Sequence, residues 1–189
     1  MVLPAPSRVT LSTRPSGDFR FAVVADTHGK PHPATAERLA ELAPDAILHA
    51  GDIGDLSVLD ELRKVAPLLA VRGNIDGPSD VPDVRVIELM SGDSLKLRIL
   101  LLHIAVYGPK LRAEVARLAS QERASLVVCG HSHVPFIGRD RGHSVFNPGS
   151  IGPRRFQLPI VLGAIDVTEN SARLRHIDCE TGEPWLPPG

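Results

Sequence analysis

Seven side chains of metal-binding type, Asp26, His28, Asp52, Asn74, His103, His131 and His133, each follow closely on a short apolar run. Ala25 leads into Asp26-Thr27-His28-Gly29, Ala50 into Gly51-Asp52-Ile53-Gly54-Asp55, and Val71 through Arg72 into Gly73-Asn74-Ile75-Asp76. Later, Ile99–Leu102 delivers His103, and Leu126–Cys129 delivers Gly130-His131-Ser132-His133. Imidazole nitrogen together with carboxylate oxygen suits Mn, Fe, Ni or Zn, whereas oxygen-only ligation would suit Mg or Ca better. Seven donors are too many for one tetrahedral ion, so two ions sharing one carboxylate are expected. Asp52 is the natural bridge, because its turn lies between the other two. Paired ions about 3.5–4 Å apart can clamp the oxygens of a phosphoryl group during in-line displacement, and water on them ionises near pH 7.

A sheet must bring residues so distant in sequence to one point. Phe19–Ala25, Ala46–Ala50 and Pro67–Val71 read as buried strands, and Ala34–Ala43 and Leu56–Val65 as the helices between them. Such alternation predicts a largely parallel sheet, whose strands end at one edge where open α/β sheets place their ligands. Val84–Leu89 and Leu95–Leu102 read as paired strands around a turn at Ser91-Gly92-Asp93. Lys110–Arg123 is the longest helix candidate, and Leu126–Cys129 a strand after it. Runs at Val145–Phe146, Pro159–Val167 and Ala172–Cys179 suggest a second sheet of hairpins. The expected layout is two packed sheets flanked by helices.

The 189-residue chain suggests one domain with a sizeable core. Residues 1–18, with Pro4, Pro6, Pro15 and Gly17, read as a loose lead-in; residues 19–180 form the domain and 181–189 a tail, with Trp185 folding back. A formal charge of -1 gives no global pull toward nucleic acid or acidic lipid. Aromatic residues make up only 4%, so no base-stacking platform is visible. No run reaches the ~18 apolar residues of a membrane span, no signal peptide is evident, and the cytoplasm is the expected location. Cys129 and Cys179 read as core residues in a reducing compartment rather than a disulfide.

Asp26-Thr27-His28, Gly51-Asp52 with Asp55, Gly73-Asn74-Ile75-Asp76, His103, Gly130-His131-Ser132-His133 and Asn147-Pro148-Gly149-Ser150 together closely resemble the calcineurin-like metallophosphoesterase family. The match is to its small single-domain bacterial and archaeal phosphodiesterase branch, and it runs from about Phe19 to Cys179. The resemblance implies an α/β fold, a four-layer α/β/β/α sandwich of two mixed sheets. It implies a first ion on Asp26, His28, Asp52 and His133, and a second on Asp52, Asn74, His103 and His131. Asp52, Asn74 and His103 form the expected catalytic set, and Mn2+ the expected metal, with Ni2+, Fe2+ and Zn2+ as alternatives. The implied reaction is attack of a metal-bridging hydroxide on a small phosphodiester bound across both ions. Two positions depart from the pattern. Ile75 stands where many family phosphatases carry a His after the metal-binding Asn, which argues against an efficient generalist monoesterase. Ile104 follows His103 where the family usually has Gly, and would narrow the pocket or alter the spacing of the metals.

Around this set, Asp55 and Asp76 are expected to orient turns, Asn147 to hold a turn near the metals, and His49 to pack or bond backbone. His32, His143 and His176 read as structural. Arg154 and Arg155 are equal candidates for a phosphate contact or a solvated pair, and Tyr107 and Lys110 for the substrate entrance. The rival reading is a catalytically silent metal-binding scaffold for protein–protein interaction, as the fold also serves a trafficking scaffold. A nuclease subunit gains little support from this charge and composition. Monomer and homodimer both remain open.

Overall fold

Apolar runs of strand length assemble here into two six-stranded mixed sheets, each covered on its outer face by helix. The computed structural model describes residues 3–187. In chain order it opens with β1 (Ser7–Ser12), β2 (Phe19–Val24), α1 (Thr35–Leu42), β3 (Ala46–His49), α2 (Ser57–Arg63) and β4 (Leu68–Ala70). There follow β5 (Val84–Ser91), β6 (Ser94–Leu102), the short pair β7 (Val106–Tyr107) and β8 (Lys110–Leu111), α3 (Ala113–Gln121) and β9 (Leu126–Val128). The last part adds β10 (Phe136–Asp140), β11 (His143–Asn147), β12 (Val161–Val167), β13 (Ala172–Asp178) and β14 (Pro184–Trp185).

One sheet runs β14-β13-β12-β2-β3-β4, the other β1-β5-β6-β9-β11-β10. Side chains alternate across each strand, and the four layers follow from that period. Phe21 and Val23 of β2 face the second sheet, packing in one core with Leu48, Ile99, Leu101, Val128 and Phe146. Ala22 and Val24, one residue out of step, meet Leu39 and Leu42 of α1 and Leu59 and Leu62 of α2. On the far side, Val86, Leu100 and Val127 receive Val115, Ala116 and Ala119 of α3. The chain is a four-layer α/β/β/α sandwich. Truncating Phe146, buried in the central layer, would cost about 3–5 kcal/mol.

Three local expectations are corrected. Ser7–Ser12 is not a loose lead-in but edge strand β1, parallel to β5, with Leu11 packed on the central core. The helix expected from Lys110 begins only at Ala113, because Lys110–Leu111 pairs back on Val106–Tyr107 around Gly108 and Pro109. The late hairpins do not make a sheet of their own. β12–β13 extends the first sheet through β2, and β10–β11 extends the second through β9. In the tail, Pro184–Trp185 pairs with β13 and the Trp185 ring stands edge-on to His176, while residues 188–189 lie outside the described residues.

The consequence for function lies in strand direction. β2, β3 and β4 are mutually parallel, as are β6 and β9, so each set brings its carboxyl ends to a common edge. Among the described residues no helix is long and apolar enough to cross a membrane.

Candidate metal centre

The turns after these strands are tied to one another before any ligand is considered. Asp26 N–H donates to Gly51 O at 2.9 Å, His28 N–H to Asp52 O at 3.0 Å, and Gly130 N–H to His103 O at 3.0 Å. The Asp76 carboxylate accepts three further backbone N–H groups, from Ile53 (3.1 Å), Gly54 (2.9 Å) and Gly73 (2.7 Å), locking the turn after β4 onto the turn after β3. A Cβ at Gly73 would lie 2.1 Å from Asp52 Oδ1, so only glycine lets these turns approach this closely. Asp26, His28, Asp52, His131 and His133 all have positive φ, between 47° and 72°. Asp and His tolerate that region better than most residues, yet each still costs on the order of 1 kcal/mol, and such strain clusters at functional sites.

Two groups of donors result. The ligand atoms of Asp26, His28 and His133 lie within 4.8 Å of one another, as do those of Asp52, His103 and His131. In the first, His133 Nε2 stands 3.2 Å from His28 Nε2 and 3.4 Å from Asp26 Oδ1. In the second, His103 Nε2 is 3.1 Å from Asp52 Oδ1 and 3.2 Å from Asn74 Oδ1, which brings Asn74 to this group. The other Asp52 oxygen, Oδ2, is 3.9 Å from His28 Nε2, so this carboxylate faces both groups. All seven residues singled out in the sequence therefore meet at one place.

The donor sets fit divalent transition metals. Asp26 Oδ1 is fully buried with no hydrogen-bond partner, a costly state for a carboxylate that a cation would relieve. Burial pushes the Asp26 carboxyl up to about 7 against the pull of His103. Asp52 goes the other way: burial opposes its ionisation, but the hydrogen bond and charge of His103 prevail and bring it to about 2. Burial also opposes a charge on His103, yet Asp52 and Asp26 raise its pKa above the usual histidine value. His103 Nδ1–H donates to Ala50 O at 2.7 Å, which fixes the ring so that Nε2 turns to the cluster, as metal-binding imidazoles require. Burial, reinforced by the Arg155 charge, lowers His133 to about 4 and moves His28 down, keeping both rings neutral and able to donate lone pairs.

Neighbouring residues divide into supports and rim. Asn147 Nδ2 donates to Gly130 O at 2.8 Å and to Ser132 Oγ at 3.1 Å, holding the His131–His133 turn. Asp55 Oδ1 accepts the Ser57 N–H at 2.9 Å at the start of α2. His32, His143 and His176 bond backbone or core groups elsewhere. The sequence leaves Arg154 and Arg155 equivalent, but the fold separates them. Arg154 pairs with Glu180, while the Arg155 guanidinium lies 3.2 Å from His28 Nε2. Ile75 is half exposed beside Asn74, and its N–H donates to Asp52 Oδ1 at 3.2 Å. Ile104 lines a cleft with Asn74 and His103, while Tyr107 borders the cleft that reaches His131.

His49 makes the backbone bond expected of it, and a further link to Thr27 that the sequence did not show. Gly51 N–H donates to Nδ1 of buried His49 at 3.2 Å, so its Nε2 carries the proton and donates to Thr27 Oγ1 at 3.0 Å. Thr27 Oγ1 in turn donates to Ile53 O at 2.9 Å, completing a relay beneath the Asp26 and Asp52 turns. Polar side chains on strand-end residues, His49 and Thr27, are the signal that could have revealed it.

Comparison with known proteins bears on the fold and the family. The profile of the calcineurin-like phosphoesterase superfamily domain matches residues 19–170. A probable metallophosphoesterase of Methanothermobacter thermautotrophicus is 32% identical over 150 residues, covering 75% of this chain and 83% of that protein. Among solved structures, the phosphoesterase YfcE from E. coli superposes with a TM-score of 0.64 at 23% identity, over 88% of this chain and 97% of that one. Vacuolar Protein Sorting 29 from Cryptosporidium parvum gives 0.72 at 15% identity, over 88% and 94%. The two structures share the fold.

Proposed function

This chain belongs to the calcineurin-like phosphoesterase superfamily, and on that premise we propose that it is a dinuclear phosphodiesterase, with Mn2+ as its preferred metal. The observation that carries the reading is the pair of donor groups meeting across Asp52, with the orphaned Asp26 oxygen inside one of them. Asp26, His28, Asp52 and His133 would hold one ion, and Asp52, Asn74, His103 and His131 the other. When bound, such a pair supplies a water whose pKa falls to about 7 and draws charge from the phosphoryl oxygens.

The protein's own groups supply the rest. Asp52, brought to about 2, stays anionic across the working pH range and faces both donor sets. Arg155, at the mouth beside His28, offers a planar fork to a phosphoryl oxygen. Ile75 presents carbon where an imidazole would protonate a poor leaving group, which supports diesters with acidic leaving alcohols over monoesters.

The test compares bis-p-nitrophenyl phosphate with p-nitrophenyl phosphate on metal-free protein reloaded with Mn, Ni, Zn or Fe(II), using His103→Ala as control. Metal-dependent diester cleavage that the substitution abolishes is expected. Two bound ions without turnover on either ester would refute the enzyme reading and favour the interaction scaffold.

A further inference from the structure

Beside the second donor group lies a cleft of about 480 Å³, within the range of small-molecule sites. Val106, Tyr107 and Pro109 of the β7–β8 hairpin form one part of its wall, Val134 and Phe136 another, and Arg112 and His131 also line it. A smaller cleft of about 290 Å³ touches Asn74, His103 and Ile104, and again Arg112. Two clefts thus adjoin one donor group and share one guanidinium, an arrangement with room for two organic substituents on a single phosphate.

The lining of the larger cleft restricts what it can hold. Asn147 and Ser132, its polar floor, are already engaged with each other, with Gly130 O and with the Val134 N–H. The other polar side chains on an otherwise apolar surface are His131, the Tyr107 phenol and Arg112, whose Nη1 also lies 4.0 Å from Glu114 Oε1. The base of the hairpin is anchored, with Leu111 N–H donating to Asp140 Oδ2 and Arg112 N–H to Ala105 O, both at 2.9 Å. The wall is therefore formed in advance. Resting on the phosphodiesterase reading, we propose that this cleft holds one ester arm of the substrate, and that the arm is aromatic or aliphatic rather than polyhydroxylated. The phosphate sits at the His131 and Arg112 edge.

Calorimetric titration of zinc-loaded protein with diphenyl phosphate and dimethyl phosphate tests this. Diphenyl phosphate should bind at least about tenfold more tightly, since an aromatic ring buried against apolar walls is the main difference between the two. Tyr107→Ala and Val134→Asp, both at exposed positions, should each remove most of that preference, and Leu186→Ala, exposed elsewhere, should not. Equal affinity for the two diesters, no binding of either, or a preference untouched by both cleft variants would overturn the subsite. Cleavage of bis-p-nitrophenyl phosphate, followed in parallel, separates the two failures. Turnover without arm preference removes the subsite alone, and arm preference without turnover removes the phosphodiesterase reading alone.

Discussion

Arg155 and Arg154 show what a single side chain's surroundings decide. Next to each other in sequence and both exposed, they differ in that one reaches His28 and the other pairs with Glu180. Arg155→Ala should raise KM for diesters about tenfold, as expected for a charge-assisted contact worth about 1.5 kcal/mol, while Arg154→Ala changes it less than twofold; steady-state kinetics checks both. His49 gives a pH prediction. Burial lowers it from 6.5 to about 4, so as pH falls the unfolded chain takes up its proton first. Its contribution is complete above pH 6.5 and is lost as pH falls toward 4, on the order of 3 kcal/mol at the acid end. Asp26, pushed up to about 7 in metal-free protein, titrates in the opposite sense, so the check is a difference. The margin in urea unfolding of the unsubstituted chain over His49→Asn, which keeps an acceptor for Gly51, should shrink from pH 8 through 6 to 5. That these seven side chains gather after strand ends was legible in the sequence, because their type and their place after apolar runs are both local facts. The Arg154–Arg155 distinction was not, since Glu180 is brought near only by folding.

At the scale of elements, the turns after β3 and β4 depend on one carboxylate. Asp76→Ala leaves the N–H groups of Ile53, Gly54 and Gly73 without their acceptor and should cost about 2–4 kcal/mol in urea unfolding. Asp76→Asn, which retains an acceptor oxygen, should recover part of the loss. The strands that lead into site residues were readable because their apolar runs stop abruptly at Gly, Asp, His or Arg. β1 was masked by the flanking prolines, although its alternation, Arg8-Val9-Thr10-Leu11, is the mark of an edge strand with one wet face. The β7–β8 hairpin was hidden because Lys110–Arg123 is good helix material throughout, and only pairing with Val106–Tyr107 diverts its start. Which sheet each late hairpin joins is a matter of long-range register, with no local trace.

For the molecule as a whole, the donors come from both sheets: Asp26, Asp52 and Asn74 follow strands of one, His103, His131 and His133 follow strands of the other. Metal held there would fasten the two halves of the sandwich at one edge and offset the strain of five left-handed residues. Each ion at a hundredfold excess over its Kd adds about 2.7 kcal/mol, so stripping both with a chelator should lower Tm by roughly 10–20 °C. A melting curve indifferent to chelator would argue that these donors hold no ion.

The cleft lined by Asn74 and His103 also includes Leu3 and Pro4. A purification handle fused to Met1 would therefore join the chain only two residues before the lining of that cleft. A polyhistidine handle would place foreign imidazoles at the mouth of the centre, able to capture ions or obstruct an incoming ester. Metal stoichiometry and rates belong to protein from which such a handle has been cleaved.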